Sequence, residues 1–291
     1  MEDIDILLLP QGDEGSGFRT QNVGNQKARR VLVDRGDTLV ARSSIVTIDH
    51  GTLTPDNEET NELGEPATLL VFEFRFICHK QSRRFCNAKI TLTFDDASGN
   101  ARNQPEVHRM WPEGAFALNK KTTTRNVKHT VSGGLSAGSS PIATGNLGYE
   151  WEMEAPQDKV HYTSLRGIKR MFDEKMGRDN AVIWSLDEDQ QTNTGIPSFL
   201  RAAVILRRID DVPFQFTIKV QTEVDFVGSL RSLLGLERSD PVDPVEIGPN
   251  TDLKGLGINS LGSTVNLTHL DILDLGKQAD VMVATELNMQ G

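Results

Sequence analysis

The chain has 291 residues, 37% of them hydrophobic and 25% charged, a balance that excludes a disordered or fibrous polypeptide and leaves room for one large β domain. Its net charge of −10, from 31 basic and 41 acidic residues, opposes nucleic-acid binding, because the interrupted basic runs Lys80–Arg84 and Arg207–Arg208 make no continuous basic face. No stretch approaches the ~18–20 apolar residues of a membrane-spanning helix.

The N-terminus, MEDIDILLLPQGDEG, carries acids where a secretory signal needs positive charge, and its apolar run ILLLP is short, so the expected location is cytoplasmic. Strand patterns follow at 30–34 (RVLVD) and 38–48 (TLVARSSIVTI), with a turn between them. Residues 67–77, ATLLVFEFRFI, alternate with Leu70, Phe72, Phe74 and Phe76 on one face, and 85–94, FCNAKITLTF, reads as the hairpin partner. The same alternation turns Cys78 and Cys86 toward the core, as two buried thiols in a reducing compartment.

Further along, 181–186 (AVIWSL) and 199–206 (FLRAAVIL) suit deeply buried strands. In 214–226, FQFTIKVQTEVDF, the period of two is cleanest and predicts one core face and one wet face. Helical signals are few: Ile168, Met171, Phe172, Lys175 and Met176 share a helical face that Gly177 caps, with an irregular crossover as the alternative, and GSLRSLLGL (228–236) suits a turn or two. The segments 264–273 and 280–287 are two more strand candidates. Turn-rich stretches at 54–66, 95–105, 187–197 and 239–244 separate these elements. The predicted fold is all-β, an antiparallel two-sheet β-sandwich or open barrel with few short helices. Residues 1–249 would form it, and 250–291 would be a C-terminal extension with one or two strands packed on the same domain.

Motifs for chemistry are sparse. Arg35-Gly36-Asp37 is read as a tight turn between strands. The six His residues are scattered and the two Cys lack metal-ligand spacing, so no metal is expected, and the acid runs at 56–59 and 187–189 read as solvated loops. There is no Gly-x-Ser-x-Gly elbow and no phosphate loop, which leaves no named catalytic residue and no cofactor.

One stretch stands apart: VSGGLSAGSSPIATGNLGYEWEME, Val131 to Glu154. Val127, His129, Val131, Gly133, Leu135 and Ala137 share one face, and Leu147, Tyr149, Trp151 and Met153 share another, both opposite polar or small residues. Each half has about the 9–11 residues with which a strand crosses a bilayer, and amphipathic hairpins of this kind insert in pore-forming proteins. The same alternation suits a half-buried structural hairpin, glycines included. Val131, Leu135, Leu147, Tyr149, Trp151 and Met153 are the candidate membrane or interaction residues.

The runs RRFCNAKITLTFDD, PEVHRMWPEGAFALNK, NAVIWSLDEDQQTNTGIPSFLRAAVILRR and PFQFTIKV resemble an uncharacterised family of filamentous-fungal cytosolic proteins, between Ala67 and roughly Ile247. The resemblance implies an intracellular fungal setting, shared by immunity and cell-death factors and by biosynthetic cyclases, and transfers no site residue. The leading expectation is a cytoplasmic, non-catalytic interaction protein that binds a protein or a hydrophobic small molecule and no nucleic acid. A membrane-active β-hairpin protein and a cofactor-free cyclase-type enzyme with a hydrophobic pocket are the alternatives.

Overall fold

Nearly all of the regular structure is antiparallel strand, because period-two segments with one apolar face are satisfied only by packing that face on another sheet. A computed structural model describes residues 22, 26–36, 39–56, 63–79, 83–131, 151–172, 177–226, 243–262, 264–276 and 283–284. In chain order the strands are β1 (Val31–Arg35), β2 (Leu39–Thr52), β3 (Pro66–Cys78), β4 (Arg83–Asp96), β5 (Glu106–Trp111) and β6 (Gly114–Val131). They continue with β7 (Trp151–Arg170), β8 (Ala181–Asp187), β9 (Phe199–Arg207), β10 (Phe214–Phe226), β11 (Val245–Ile247) and β12 (Val283–Ala284). One sheet runs β1-β2-β3-β9, with β5 and β12 sharing the far edge of β9. The other runs β11-β10-β4-β8-β7-β6. Neither closes on itself among the described residues, and the expected two-sheet antiparallel sandwich is the fold.

The inner faces meet in a core built on aromatic rings. Phe72 from one sheet meets Phe216 from the other edge to face at 5.6 Å, and Phe94 lies 5.9 Å from the same ring. Phe74 approaches Trp184 at 6.0 Å, and Phe76 meets Phe85 at 5.7 Å. The first half of β3 and most of β9 are buried on both faces, which is why they read as continuous apolar runs rather than alternating ones. Their second face, Ala67, Leu69, Val71, Ala203 and Ile205, is covered by Val265, Leu270, Leu273 and Leu275. The described residues between 251 and 276 are thus a lid made largely of turns over one sheet.

Four expectations are corrected. Residues 67–77 and 85–94 do not form a hairpin: β3 pairs with β2 and β9, whereas β4 pairs with β10 and β8, so the connection crosses from one sheet to the other. Two apolar faces that look at each other across a core share the alternation of a hairpin, and the pattern cannot separate the two cases. A bulge opposite Val224 and Glu223 breaks the alternation of β4, so that Phe85 and Ala88 are buried while Cys86 is only partly so. Ile168 lies in β7, which runs as a strand to Arg170, rather than on a helix. Finally, 264–273 forms turns and a single 3-10 turn at Leu270–Ile272, and strand structure near the C-terminus is confined to Val283–Ala284 among the described residues. The helical reading of 228–236 lies outside the described residues.

Candidate functional site: the β6–β7 ribbon

Among the described residues the longest pairing, β6 with β7, is also the one that outruns its sheet. β8 accompanies β7 only from Ser164, opposite Asp187, to Arg170, opposite Ala181. β6 stays paired with β7 much further, from Gly114–Gly167 past Lys121–His161 to a last described rung, Val131–Trp151. From His161 outward the two strands pair only with each other among the described residues, as a two-stranded ribbon that extends beyond the sandwich.

The register settles which residues share a face. On one side stand the rungs Val131–Trp151, His129–Met153 and Val127–Ala155, and on the other Thr130–Glu152, Lys128–Glu154 and Asn126–Pro156. Nearer the sandwich both faces are polar: Thr124 is opposite Asp158, and Arg125 opposite Gln157. The apolar stripe therefore belongs to the distal part of the ribbon. Of the sequence candidates, Val131 and Trp151 are brought directly opposite each other, and Met153 falls two rungs further in on the same face. Leu135, Leu147 and Tyr149 lie outside the described residues.

The root of the hairpin lies at the rung of Gly114 and Gly167, well before Val127, where the expected alternation starts. The signal was present: Phe116 and Leu118 alternate inward, Thr122, Thr123 and Thr124 favour strand, and Thr163, Leu165 and Gly167 alternate with Ser164, Arg166 and Ile168. The apparent helical spacing of Ile168, Met171 and Phe172 hid it.

The ribbon is fastened where it departs. Leu118 pairs with Thr163 and Lys121 with His161, so two residues of β6, Asn119 and Lys120, oppose the single residue Tyr162 of β7, which is a β-bulge. At the same level the Tyr162 backbone N–H donates to Asp189 at 2.9 Å, and Asp189 also accepts from the N–H groups of Gln191 (2.7 Å) and Thr192 (3.0 Å). The 188–196 loop is itself tied down: Glu188 accepts from the Gly195 N–H at 2.9 Å and from the Arg84 guanidinium at 2.8 Å, and the Ile196 N–H donates to the Phe85 carbonyl at 2.9 Å. Its chain reversal uses left-handed backbone at Asn193 (φ 50°) and Gly195 (φ 81°). The acid run Asp187-Glu188-Asp189 is thus spent on holding β4, β7 and its own loop together.

Electrostatics at this pole follow from that network. The Glu188 carboxylate, against desolvation, raises the Arg84 guanidinium further above its usual range, and Asp225 adds to the effect. Burial, then the Glu188 carboxylate, push the Cys86 thiol up to about 12, so it carries no thiolate at neutral pH. Among the described residues no three His, Cys, Asp or Glu side chains are grouped to hold a metal ion, and no helix is long and apolar enough to cross a membrane.

Neither a family model nor a curated protein matches the chain. Among solved structures it is similar to the NetB toxin of Clostridium perfringens in its membrane-inserted form, with a TM-score of 0.29 and 9% identity over 68% of this chain and 82% of that one. It is also similar to the Clostridium perfringens delta-toxin, with a TM-score of 0.25 and 8% identity over 67% of this chain and 83% of that one. Neither likeness is close enough to place the chain in a family.

Proposed function

We propose that this is a membrane-active protein whose β6–β7 ribbon is the element that enters the bilayer. The observation that supports it is the free ribbon: a register-defined pair of strands that outruns its sheet and carries an apolar stripe only in its distal part. A two-stranded ribbon is marginal in water by itself, so a long one with no third strand among the described residues calls for a destination. In a bilayer its outward face must be apolar and its other face can line water. The stripe Val127, Val131, Trp151, Met153 and Ala155 meets that condition, with His129 as its one polar member, and Lys128, Thr130, Glu152 and Glu154 occupy the reverse. In sequence the same alternation runs on through Leu135, Leu147 and Tyr149, giving each arm about the 9–11 residues that a crossing needs.

Dye release from vesicles containing anionic lipid tests the reading with the full chain. Leakage by the unaltered chain, abolished by Trp151→Asp with Met153→Asp, is the expected result, since a charge on a lipid-facing strand position costs up to about 2–4 kcal/mol. No leakage, or leakage that these substitutions leave unchanged, overturns the proposal and returns β6, the outermost strand of its sheet, to the role of an edge for a protein partner.

A further inference from the structure

On the outer face of the β1-β2-β3 sheet, an open groove of about 420 Å³ is lined by Arg30, Arg42 and Arg75, with Val31, Val40 and Ile77 among its apolar wall residues. The register places two like charges directly opposite each other: Arg42 on β2 faces Arg75 on β3, in a cross-sheet row that runs Asp34, Arg42, Arg75, Phe199. Opposed like charges weaken a sheet, so stability alone does not account for this pair. The local acids compensate incompletely. Asp34 reaches Arg42 only at 3.7 Å, and Glu73 is divided between Arg75 at 2.6 Å and Arg201 at 3.3 Å. Burial draws the Glu73 carboxyl upward, but those two guanidiniums outweigh it and hold it below the usual range, so it stays ionised and committed to them. Phe199 lies 5.5 Å from the Arg75 guanidinium carbon and 5.6 Å from that of Arg201, which further confines both cations.

Three guanidiniums, Arg30, Arg42 and Arg75, thus line the groove beside two carboxylates, Asp34 and Glu73, an excess of positive charge on a chain whose net charge is −10. Planar forks of this kind are suited to phosphate oxygens, and the Val40 and Ile77 walls suit the carbon attached to such a group. The position matters as much as the charge. Ile77 and His79 stand at the end of β3 from which the chain passes to Arg83 and β4, the pole where β7 parts from β8 at Asp187 and goes on with β6 as the ribbon. We infer that this groove receives the phosphate of an anionic phospholipid headgroup, so that the sandwich grips the membrane surface at the pole from which the ribbon projects. The assignment of a lipid as the source of the phosphate rests on the membrane-active reading above.

Co-sedimentation of the full chain with vesicles, one set of phosphatidylcholine alone and one an equal-mole mixture with phosphatidylserine, measures binding apart from leakage. The expected result is preference for the mixed vesicles, weakened about thirtyfold in Arg42→Gln/Arg75→Gln, the equivalent of about 1 kcal/mol per basic residue at an anionic surface. The melting temperature of Arg42→Gln should hold or rise, because it ends the like-charge opposition and gives up only the 3.7 Å pairing with Asp34. Arg42→Gln alone, loosely paired and half-exposed, carries the test if the double variant unfolds. Equal binding by wild type and variant, or no vesicle binding by either, overturns the inference. Inorganic phosphate that raises the melting temperature through Arg42 and Arg75, while vesicles are ignored, overturns the lipid source in favour of a soluble phosphate compound. Retained, arginine-dependent sedimentation without leakage supports the groove while the ribbon reading fails.

Discussion

The indole N–H of Trp184, on β8, donates to the Pro112 carbonyl at 2.9 Å. This bond ties the centre of one sheet to the turn between β5 and β6, and Gly167 of β7 lies beneath it, opposite Trp184 in the strand register. A Cβ at Gly167 would stand 2.0 Å from the Pro112 oxygen and 3.1 Å from the indole ring. The close approach exists because the ribbon strands are seated on the sandwich by backbone as well as by side chains.

Gly167→Ala should therefore destabilise the fold by about 1–3 kcal/mol, the usual cost of forcing an atom into a filled site whose obstacle is backbone. A lowered urea midpoint with unchanged slope is the expected signature. An unshifted midpoint would mean that the turn gives way freely.

Asp189→Ala removes the acceptor for the Tyr162 amide without touching the core. Amide exchange at Tyr162 should quicken about tenfold, the counterpart of about 1.4 kcal/mol for a hydrogen bond to a charged group, while exchange in β4 and β9 stays as it was. Uniform quickening across the sandwich would instead identify Asp189 as a global support.

His50 gives a pH dependence of definite sign. Its Nδ1 is 2.9 Å from Thr68 Oγ1, its Nε2 is buried without a hydrogen-bond partner, and burial followed by the nearby Arg208 charge lowers its pKa below 6.5. The unfolded chain therefore takes up this proton first, and stability present above about pH 6.5 declines as the pH falls toward the folded value. Urea unfolding across that window should show a slope of at most about 1.4 kcal/mol per pH unit from this group. His50→Gln should flatten it.

Cys86 should resist alkylation at neutral pH, its thiol held near 12 by burial and by Glu188. Glu188→Gln should increase its labelling rate, measured by intact mass against time. Labelling as fast as an unhindered thiol would show that the Arg84–Glu188 pair is not maintained in solution.

The sandwich was legible because Phe214, Phe216, Ile218 and Val220 alternate without interruption, and all four are buried. Sheet membership was not legible. β3 and β4 are consecutive and both alternate, yet whether two such strands hydrogen-bond side by side or face each other across a core depends on contacts distant in sequence. The face of Cys86 failed for a local reason, a single bulge that inverts all side chains preceding it. The C-terminal lid was read as strand because Val265, Leu267 and Leu270 are apolar at short intervals, although they serve as irregular plugs over Leu69 and Ile205. For the ribbon, alternation was readable around Trp151, but its freedom from β8 was a property of lengths: β7 has 20 residues and β8 only 7. The Arg42–Arg75 opposition needed the β2–β3 register, which is itself shifted by an irregularity between Ile45 and Thr47.

The bulge at the ribbon's root sits in β6 alone. β7 passes the same level residue by residue and continues directly into the sheet, so it acts as a rail, whereas β6 carries slack at Asn119 and Lys120. A pair of cords with slack in only one of them cannot bend equally to both sides. The direction in which the ribbon leaves the sheet is therefore set at its root by two residues of one strand, through the bend and the added right-handed twist of the bulge.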